Sequence, residues 1–551
     1  MCAFYVSPGV YTREKDISTI VPALATTIGA LVGYSPKGSL DITLITNRQQ
    51  FIAEYGEPIT GNYFHYSALA FLEKASALYC RRVVNEALYS GVHVKQSDEA
   101  TDNEAFGAGQ LTAVFYDESG VEGELISVLA VNPGLWGDNV SIIIKNVKDG
   151  TETEVTEQYT FEIDIYFTDS DGNSAKVENW KVSRKNKLDG SGVQMYLEDK
   201  INGYSEYIRV ADNTSEVDTV LPKENSTAVS LGGGSDGSAV TAANIVGVEA
   251  SKTGWYGFYN PDNVDVRILL GGGFLSTHSA SDLATIHSAL RTIAESRKDC
   301  IAILDVPYDE VDSVTDTTAF RDTTQNLNSS YVALYTPWVK IQDAYNDQIV
   351  EVPPSGYVGA QYAYNDYAAE TWSAPAGFSR GMVNALGLSK VYTQGERDVL
   401  YAAGINPLQV FRGEGIVVWG QKTEQKKASA LDRVNVRRLL IVVEKAISAT
   451  LREFAFELNN ELTRFRVTEV ITSYLDDLSS RGAFQTEAGD DGYKVICDTT
   501  NNTPARIDRN ELWVDIFVKP SRAAEFIQLQ VILTVSGASF EELVSRGALF
   551  N

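Results

Sequence analysis

An alternation of strand and helix patterns in the middle of the chain most constrains the fold. Residues 264–270 have the composition of a buried strand, residues 281–296 have the spacing of an amphipathic helix, and residues 300–305 form another apolar run. A strand, a helix and a strand in this order form a βαβ unit with parallel strands. Residues 331–336 predict a further strand. The pattern therefore predicts an α/β domain with a parallel sheet.

The chain of 551 residues is too long for one hydrophobic core, and its composition changes along its length. Residues 91–235 are polar, acidic and rich in β-forming residues with Asp-Gly and Gly-Ser turns, which predicts an inserted all-β domain. Two apolar stripes at helical spacing, over residues 436–451 and 467–478, indicate a C-terminal α+β domain. The predicted order is an N-terminal arm, a discontinuous α/β core, the inserted domain, the C-terminal domain, and a final strand with an arm, over residues 1–20, 21–90 with 236–412, 91–235, 413–526 and 527–551.

The net charge of −27 disfavours sequence-independent nucleic-acid binding, which requires an excess of Lys and Arg. This charge is uneven: residues 421–551 hold 17 basic and 19 acidic residues, a net −2, whereas residues 1–420 carry −25. Such asymmetry suggests that the less acidic region faces a partner, although a chance distribution of solvated charges is the alternative.

The four cysteines, Cys2, Cys80, Cys300 and Cys497, are far apart and form no CxxC pair. We therefore expect free thiols rather than a zinc or redox site. Residues 17–36 carry no charge, but their Thr, Ser, Pro and Gly content and β-branched alternation favour strands over a transmembrane span.

Two short motifs suggest catalysis only weakly. Residues 377–381, GFSRG, match the nucleophile elbow of α/β-hydrolases, but all four histidines precede Ser379, which excludes the hydrolase chain order and leaves only another triad order open. Residues 271–273, GGG, lie between a strand and a helix but lack both GK[ST] and GxGxxG spacing. A tight turn is favoured there over a nucleotide site. We expect no enzymatic activity, metal or cofactor.

Residues 352–381, VPPSGYVGAQYAYNDYAAETWSAPAGFSRG, combine turn-forming residues with broad aromatic ones. Tyr362, Tyr364, Tyr367 and Trp372 are of the types favoured where proteins meet, so we interpret this block as a shaped binding surface. The block also resembles the signature segment of contractile tail sheath proteins, which occur in phages with contractile tails and in related bacterial injection machines.

Further segments resemble the same family in the expected order along the chain. They are residues 7–11 (SPGVY), 28–33 (IGALVG), 51–56 (FIAEYG), 132–139 (NPGLWGDN), 202–210, 231–237 (LGGGSDG), 404–407 (GINP) and 436–439 (VRRL). The chain departs from the family at residues 456–460, FELNN, where many members have FEPN and this sequence has Leu458.

The resemblance implies a structural subunit that stacks as hexameric rings around an inner tail tube. The extended, metastable lattice would contract and drive the tube through the host envelope without consuming nucleotide. The implied partners are further copies of the chain, the tube protein, and baseplate and tail terminator or neck proteins, with no nucleic acid and no direct membrane insertion. The implied location is the virion tail after assembly in the host cytoplasm. A tailocin or another injection system is the alternative, and an α/β enzyme is a more distant one.

The resemblance also implies arms that add strands to neighbouring subunits. The corresponding positions here are Val10, Tyr11, Ile17, Ile20, Ile527, Leu529, Val531, Leu533 and Val535. The apolar alternation of residues 527–535 itself predicts a half-buried strand. An internal strand of the same subunit remains the alternative for this segment.

The family places the C-terminal domain against the tube and the inserted domain outermost. Residues 421–470 hold ten basic and seven acidic residues, so they are positively charged in an acidic chain. We therefore expect contacts with an acidic tube surface from some of Lys426, Lys427, Arg433, Arg437, Arg438 and Lys445.

Overall fold

The computed structural model describes residues 28–95, 124–169, 172–213, 217–487 and 489–529. Its strands are β1 (Ile28–Tyr34), β2 (Thr43–Ile45), β3 (Ala77–Val83), β4 (Gly91–Lys95), β5 (Glu124–Ala130), β6 (Val140–Lys148), β7 (Thr160–Thr168), β8 (Ser174–Val182), β9 (Ile208–Asp212), β10 (Val229–Ser230), β11 (Ile268–Leu270), β12 (Ile301–Asp305), β13 (Val332–Thr336), β14 (Val339–Asp343), β15 (Gln348–Val352), β16 (Met382–Val383), β17 (Gly387–Leu388), β18 (Ile405–Phe411), β19 (Gly415–Val418), β20 (Tyr493–Ile496) and β21 (Asp515–Val518). Its α-helices are α1 (Arg48–Tyr55), α2 (Tyr63–Phe71), α3 (Leu197–Ile201), α4 (Ala242–Val246), α5 (Ala280–Arg297), α6 (Val314–Ala319), α7 (Ser355–Ala368), α8 (Gln394–Ala402), α9 (Val434–Leu451), α10 (Glu461–Ser480) and α11 (Pro504–Ile507).

A nine-stranded sheet forms the centre of the molecule, in the order β16-β19-β18-β13-β12-β11-β1-β3-β2. The six strands from β18 to β3 run parallel, and β2, β19 and β16 add antiparallel edges. Strands β11, β12 and β13 are buried along their whole length because helices cover both faces of the sheet. The predicted βαβ unit is confirmed as β11-α5-β12, and the structure is of the mixed α/β class.

Helix α5 illustrates how local sequence determines this unit. Ser279 caps its first turn, because the Ser279 hydroxyl accepts from the Asp282 N–H and the Asp282 carboxylate accepts from the Ser279 N–H. Its buried stripe includes Leu283, Ile286 and Leu290, which pack against the central sheet. The stripe therefore places α5 on one face of the sheet.

The region after β3 forms two antiparallel sheets, β10-β6-β7-β8 and β4-β5-β9, which share one apolar core. The buried guanidinium of Arg82 connects this region to the central sheet. It donates to the carbonyl oxygens of Pro36 at 2.8 Å, Gly38 at 3.1 Å and Pro133 at 2.7 Å. Asp236 then accepts the Leu135 N–H at 2.9 Å, so the NPGLWGDN segment forms the junction between the two regions.

Helices α9 and α10 and the antiparallel ribbon β20–β21 form a separate apolar core near the C-terminus. The two helices correspond to the two predicted stripes. Leu439 and Val443 of α9 contact this core together with Ile471 and Leu475 of α10.

Several predicted elements differ from the observed ones. The apolar sequence of residues 63–79 predicts one helix, but α2 ends at Phe71 and β3 begins already at Ala77. Residues 28–34 of the uncharged segment are strand β1, and no helix in the described part of the chain is long and apolar enough to cross a membrane. Ile527 and Leu529 lie in no strand. Val531, Leu533 and Val535 lie outside the described residues.

Candidate assembly surfaces

The block of residues 352–381 is mainly a packing element, so the interpretation of the whole block as a binding surface is wrong. Its first half is largely helix α7, whose first N–H, that of Ser355, donates to the buried carboxylate of Asp305 at 2.7 Å. A Cβ atom on Gly356 would lie 2.6 Å from the backbone of Ser67, so glycine allows α7 to approach α2 closely.

The aromatic residues of this block divide between core and surface. Tyr362 is buried and its hydroxyl lies 2.7 Å from that of Tyr335, and Trp372 packs in the C-terminal core. Tyr364 and Tyr367 are exposed. Only these two rings of the four are therefore available to a partner.

The two catalytic motifs are accounted for by packing and turns. A Cβ on Gly273 would lie 1.8 Å from the Val32 carbonyl oxygen, so the glycine turn is filled by the protein backbone. Ser379 lies on an exposed turn. His65 Nε2 contacts the Tyr55 carbonyl and the Ser35 hydroxyl, and His287 Nδ1 contacts Gln325. No group of three or more His, Cys, Asp or Glu residues that could hold a metal ion occurs among the described residues. Cys80, Cys300 and Cys497 are free and buried.

The ribbon β20–β21 has only two strands, fewer than any other sheet of the described structure, and we call it the open ribbon. Tyr493 pairs with Val518 and Ile496 pairs with Asp515, and no third strand joins the ribbon within the described residues. One face packs on α10, while Phe517 is more than half exposed on the ribbon. A two-stranded ribbon leaves unpaired backbone groups along both edges, which can accept a strand from another chain.

The tail that follows β21 extends over the surface of the protein. Ser521 holds it to the segment that follows α10, since its N–H donates to the Ala483 carbonyl at 3.0 Å. Glu525 accepts from Arg433 Nε at 2.7 Å. Beyond Glu525, Ile527 is 86% exposed and Leu529 is 87% exposed, so both apolar side chains face solvent. The other predicted arm residues, Val10, Tyr11, Ile17, Ile20, Val531, Leu533 and Val535, lie outside the described residues.

Most of the basic side chains that were expected to face a tube contact their own chain. Arg438 and Arg437 are buried, with Arg438 paired to Asp366 at 2.6 Å and Arg437 donating to the Tyr331 hydroxyl at 3.1 Å. The expectation that these two contact a partner is therefore wrong for the described conformation, because acceptors within the chain bind them.

Two further basic residues are only partly accessible, and two are exposed. Lys445 Nζ lies 2.7 Å from both Asp265 and Asp299, at the contact between α9 and the central domain. Arg433 is half-buried against Glu525. Lys426 and Lys427 are exposed and remain candidates for a partner.

One exposed apolar patch was not predicted. It consists of Phe456, Leu458, Leu462 and Phe465, all more than half exposed, on the loop before α10 and the first turns of that helix. The available signals were Leu458 in place of the proline common in the family and the i, i+3 spacing of Leu462 and Phe465. Apolar groups concentrated in this way on a surface are typical of interaction sites.

Comparisons with known proteins agree with this architecture. Residues 263–424 match the family model of the phage tail sheath protein central domain, and residues 426–534 match that of the phage tail sheath C-terminal domain. The chain is 31% identical to the tail sheath protein of Enterobacteria phage T4 over 389 residues, which cover 67% of this chain and 56% of that protein. It is also 31% identical to the tail sheath protein of Vibrio phage KVP40 over 341 residues, covering 58% of this chain and 49% of that one. The chain thus spans about half the length of these relatives.

Solved structures show the same fold. The helical sheath of the anti-feeding prophage in its contracted state superposes with a TM-score of 0.55 at 16% identity, covering 96% of this chain and 100% of that one. The sheath tail protein from Listeria innocua gives a TM-score of 0.57 at 11% identity, covering 91% of this chain and 96% of that one. The fold is therefore that of the sheath proteins of contractile systems. Through its central and C-terminal domains, the chain belongs to the phage tail sheath family.

Proposed function

We propose that this chain is the repeating subunit of a contractile tail sheath. It polymerises as stacked hexameric rings around an inner tube and shortens from a metastable extended state, which drives the tube through the host envelope. Membership of the sheath family supports this function. A tailocin or another injection system would use the subunit in the same way.

The observation that carries the proposal is the open ribbon β20–β21 together with the exposed apolar tail. The ribbon can accept one strand at each edge, and Ile527 and Leu529 present apolar side chains that a neighbour can cover. Backbone hydrogen bonds between chains are directional but tolerate different side chains, so subunits stay joined while their bodies rotate. Because donor and acceptor surfaces differ, the contact is heterologous and builds an open helical lattice.

The tube contact is proposed for the exposed Lys426 and Lys427. Exposed ion pairs contribute about 0 to 1 kcal/mol each, so many of them can hold a sheath on an acidic tube and still separate during contraction. Replacement of Lys427 by Glu should weaken tube-templated assembly more at low salt than at high salt. We further propose that baseplate and terminator proteins bind the two ends of the sheath. The sheath is then part of the virion tail and assembles in the host cytoplasm.

Cysteine cross-linking tests the strand addition directly. The background carries Cys2→Ser, since the other three native cysteines are buried. Phe517→Cys is combined in turn with single cysteines at each position from 529 to 535, and disulfides are induced in the assembled protein.

A tail strand beside β21 predicts intermolecular disulfides from alternate positions only, because successive side chains of a strand point to opposite faces. Leu188→Cys, an exposed position in the inserted domain, replaces Phe517→Cys as the matched control and should give none. Cross-linking at every position alike, or at none in assembled protein, would exclude tail addition at this edge.

A further inference from the structure

The C-terminal tail is fixed to the body of the protein at two points, four residues apart. At the first point, Ser521 donates its N–H to Ala483 and its hydroxyl to the Gly482 carbonyl, at 3.0 and 2.9 Å. At the second, Glu525 Oε1 accepts from Arg433 Nε at 2.7 Å and from Gln421 Nε2 at 3.0 Å. We call Glu525, Arg433 and Gln421 the tail clasp.

The clasp lies where the central domain continues into the C-terminal domain. Gln421 is buried in the connection after β19, and Arg433 immediately precedes α9. The Val434 N–H donates to the Gln421 carbonyl at 2.9 Å, which keeps the two clasp partners together. Burial, with a further contribution from Glu525, raises the pKa of the nearby Tyr401 hydroxyl. The tail is thus anchored at a domain junction and not only on the domain from which it emerges.

The second anchor consists of polar contacts made by one side chain, the Glu525 carboxylate. Arg522, Ala523 and Ala524 between the two anchors are exposed, and Phe526 immediately after the clasp is 79% exposed. The apolar side chains of residues 522–526 are therefore mostly exposed and add little burial to the clasp. A partly exposed ion pair of this kind is weak and screened by salt, so it opens readily.

We propose that the tail clasp keeps four residues of the tail bound to the body of the protein until it opens. We call these four residues the reserve tether. With the clasp closed, the free tail begins after Glu525, and with it open, the free tail begins after Ser521. Four more residues extend the reach of the tail by about 13 Å. The proposal rests on the proposed function, because only a subunit joined to its neighbour through this tail uses the extra length. During contraction the clasp opens, so the tail stays bound to the neighbouring ribbon while the two bodies move relative to each other.

Limited proteolysis tests the clasp without any assembly. Arg522 is an exposed trypsin site between the two anchors, and cleavage requires local opening. In the unassembled full-length protein, Glu525→Gln should raise the cleavage rate after Arg522 about fivefold. Arg433→Gln should raise this rate by a similar factor. The double variant should be cleaved little faster than either single variant, since both changes break the same contact between Glu525 and Arg433.

Cleavage after Arg412, on the exposed turn between β18 and β19, should be unchanged in these variants, and Glu414→Gln serves as the matched exposed-carboxylate control. In the parent protein, high salt should accelerate cleavage after Arg522. Equal cleavage rates after Arg522 in the parent and Glu525→Gln proteins would overturn the clasp.

Assembled sheaths test what the clasp does. Extended sheaths carrying Glu525→Gln should contract about fivefold faster than the parent under mild urea, as counted by electron microscopy, with Glu414→Gln at the parent rate. Contraction at the parent rate, in a variant that trypsin shows to be open, would overturn the reserve-tether role. Failure of the parent chain to form a sheath would instead contradict the proposed function, and the proteolysis would still decide on the clasp.

Discussion

The guanidinium of Arg438 lies 2.6 Å from the carboxylate of Asp366, and both side chains are buried between α9 and α7. The same guanidinium lies 4.8 Å from the centre of the Tyr362 ring. The contact joins the C-terminal helices to the helix that carries the family signature. With Lys445 bridging Asp265 and Asp299, it shows that positive charge in α9 serves to dock two domains of one chain.

Replacing Arg438 by Ala should lower the free energy of unfolding by about 3 to 5 kcal/mol, because the change removes the guanidinium that faces a buried carboxylate. Urea denaturation followed by circular dichroism measures this free energy. For the control Lys427→Ala, at an exposed position, the free energy of unfolding should stay within about 0.5 kcal/mol of the parent value. A loss of under about 1 kcal/mol for Arg438→Ala would mean that the pair does not hold the domains together.

Glu424 should make stability depend on pH. Burial raises the pKa of this carboxyl to about 7, against the opposing effect of Arg321 and Lys426. A carboxyl with a raised folded-state pKa contributes stability that is complete below its unfolded pKa, about 4.3, and is lost as the pH rises towards 7. Glu424→Gln should therefore stabilise the protein at pH 8 by about 3 to 4 kcal/mol relative to its effect at pH 4.

Urea midpoints of the parent and Glu424→Gln proteins across this pH range provide the measurement. The exposed Glu414→Gln is the matched control and should leave the pH profile unchanged. Parallel profiles for the parent and Glu424→Gln would show that this carboxyl is not the source of the pH dependence.

Gly273 should not tolerate a side chain. A Cβ there would lie 1.8 Å from the Val32 carbonyl oxygen, so Gly273→Ala must displace backbone and should cost about 1 to 3 kcal/mol. Gly395→Ala, near the start of α8 with open space around it, should be neutral or stabilising by about 0.5 kcal/mol. Thermal unfolding of the two variants compares them directly, and equal stabilities would contradict the close approach at Gly273.

The apolar patch of Phe456, Leu458, Leu462 and Phe465 should matter for assembly but not for folding. Leu458→Asp changes an exposed side chain, so the free energy of unfolding should move by no more than about 0.5 kcal/mol. The fraction of protein that sediments as polymer should fall for Leu458→Asp. It should not fall for the control Leu188→Asp, which replaces another exposed leucine. Unchanged sedimentation of Leu458→Asp would show that the patch lies outside every assembly contact.

Apolar periodicity predicted several of the elements that form the cores. It located β1, the β11-α5-β12 unit, α9 and α10, because burial of a stripe or a run depends on local spacing. It did not predict that Arg437 and Arg438 are buried, because their acceptors Tyr331 and Asp366 are more than 70 residues away along the chain. Charge counts alone therefore assigned to a partner what the fold uses internally.

The misinterpretation of the signature block has a similar origin. Aromatic residues flanked by proline and glycine suit a surface, but Gly356 and Gly359, three residues apart, mark a helix that packs closely against α2 and the sheet. The open ribbon could not be predicted either, since its unpaired edges depend on which strands are absent beside it. The resemblance to sheath proteins supplied the function that local patterns did not.

In the proposed assembly, subunits are joined by adding strands to the ribbon β20–β21. We would examine this by cryo-electron microscopy of the polymers formed by the full-length chain, alone or with its tube. We expect at least one additional strand on this ribbon, traced to residues of a neighbouring subunit, and loss of the polymers when residues 527–551 are removed. A ribbon that remains two-stranded in an ordered polymer would show that subunits are not joined in this way.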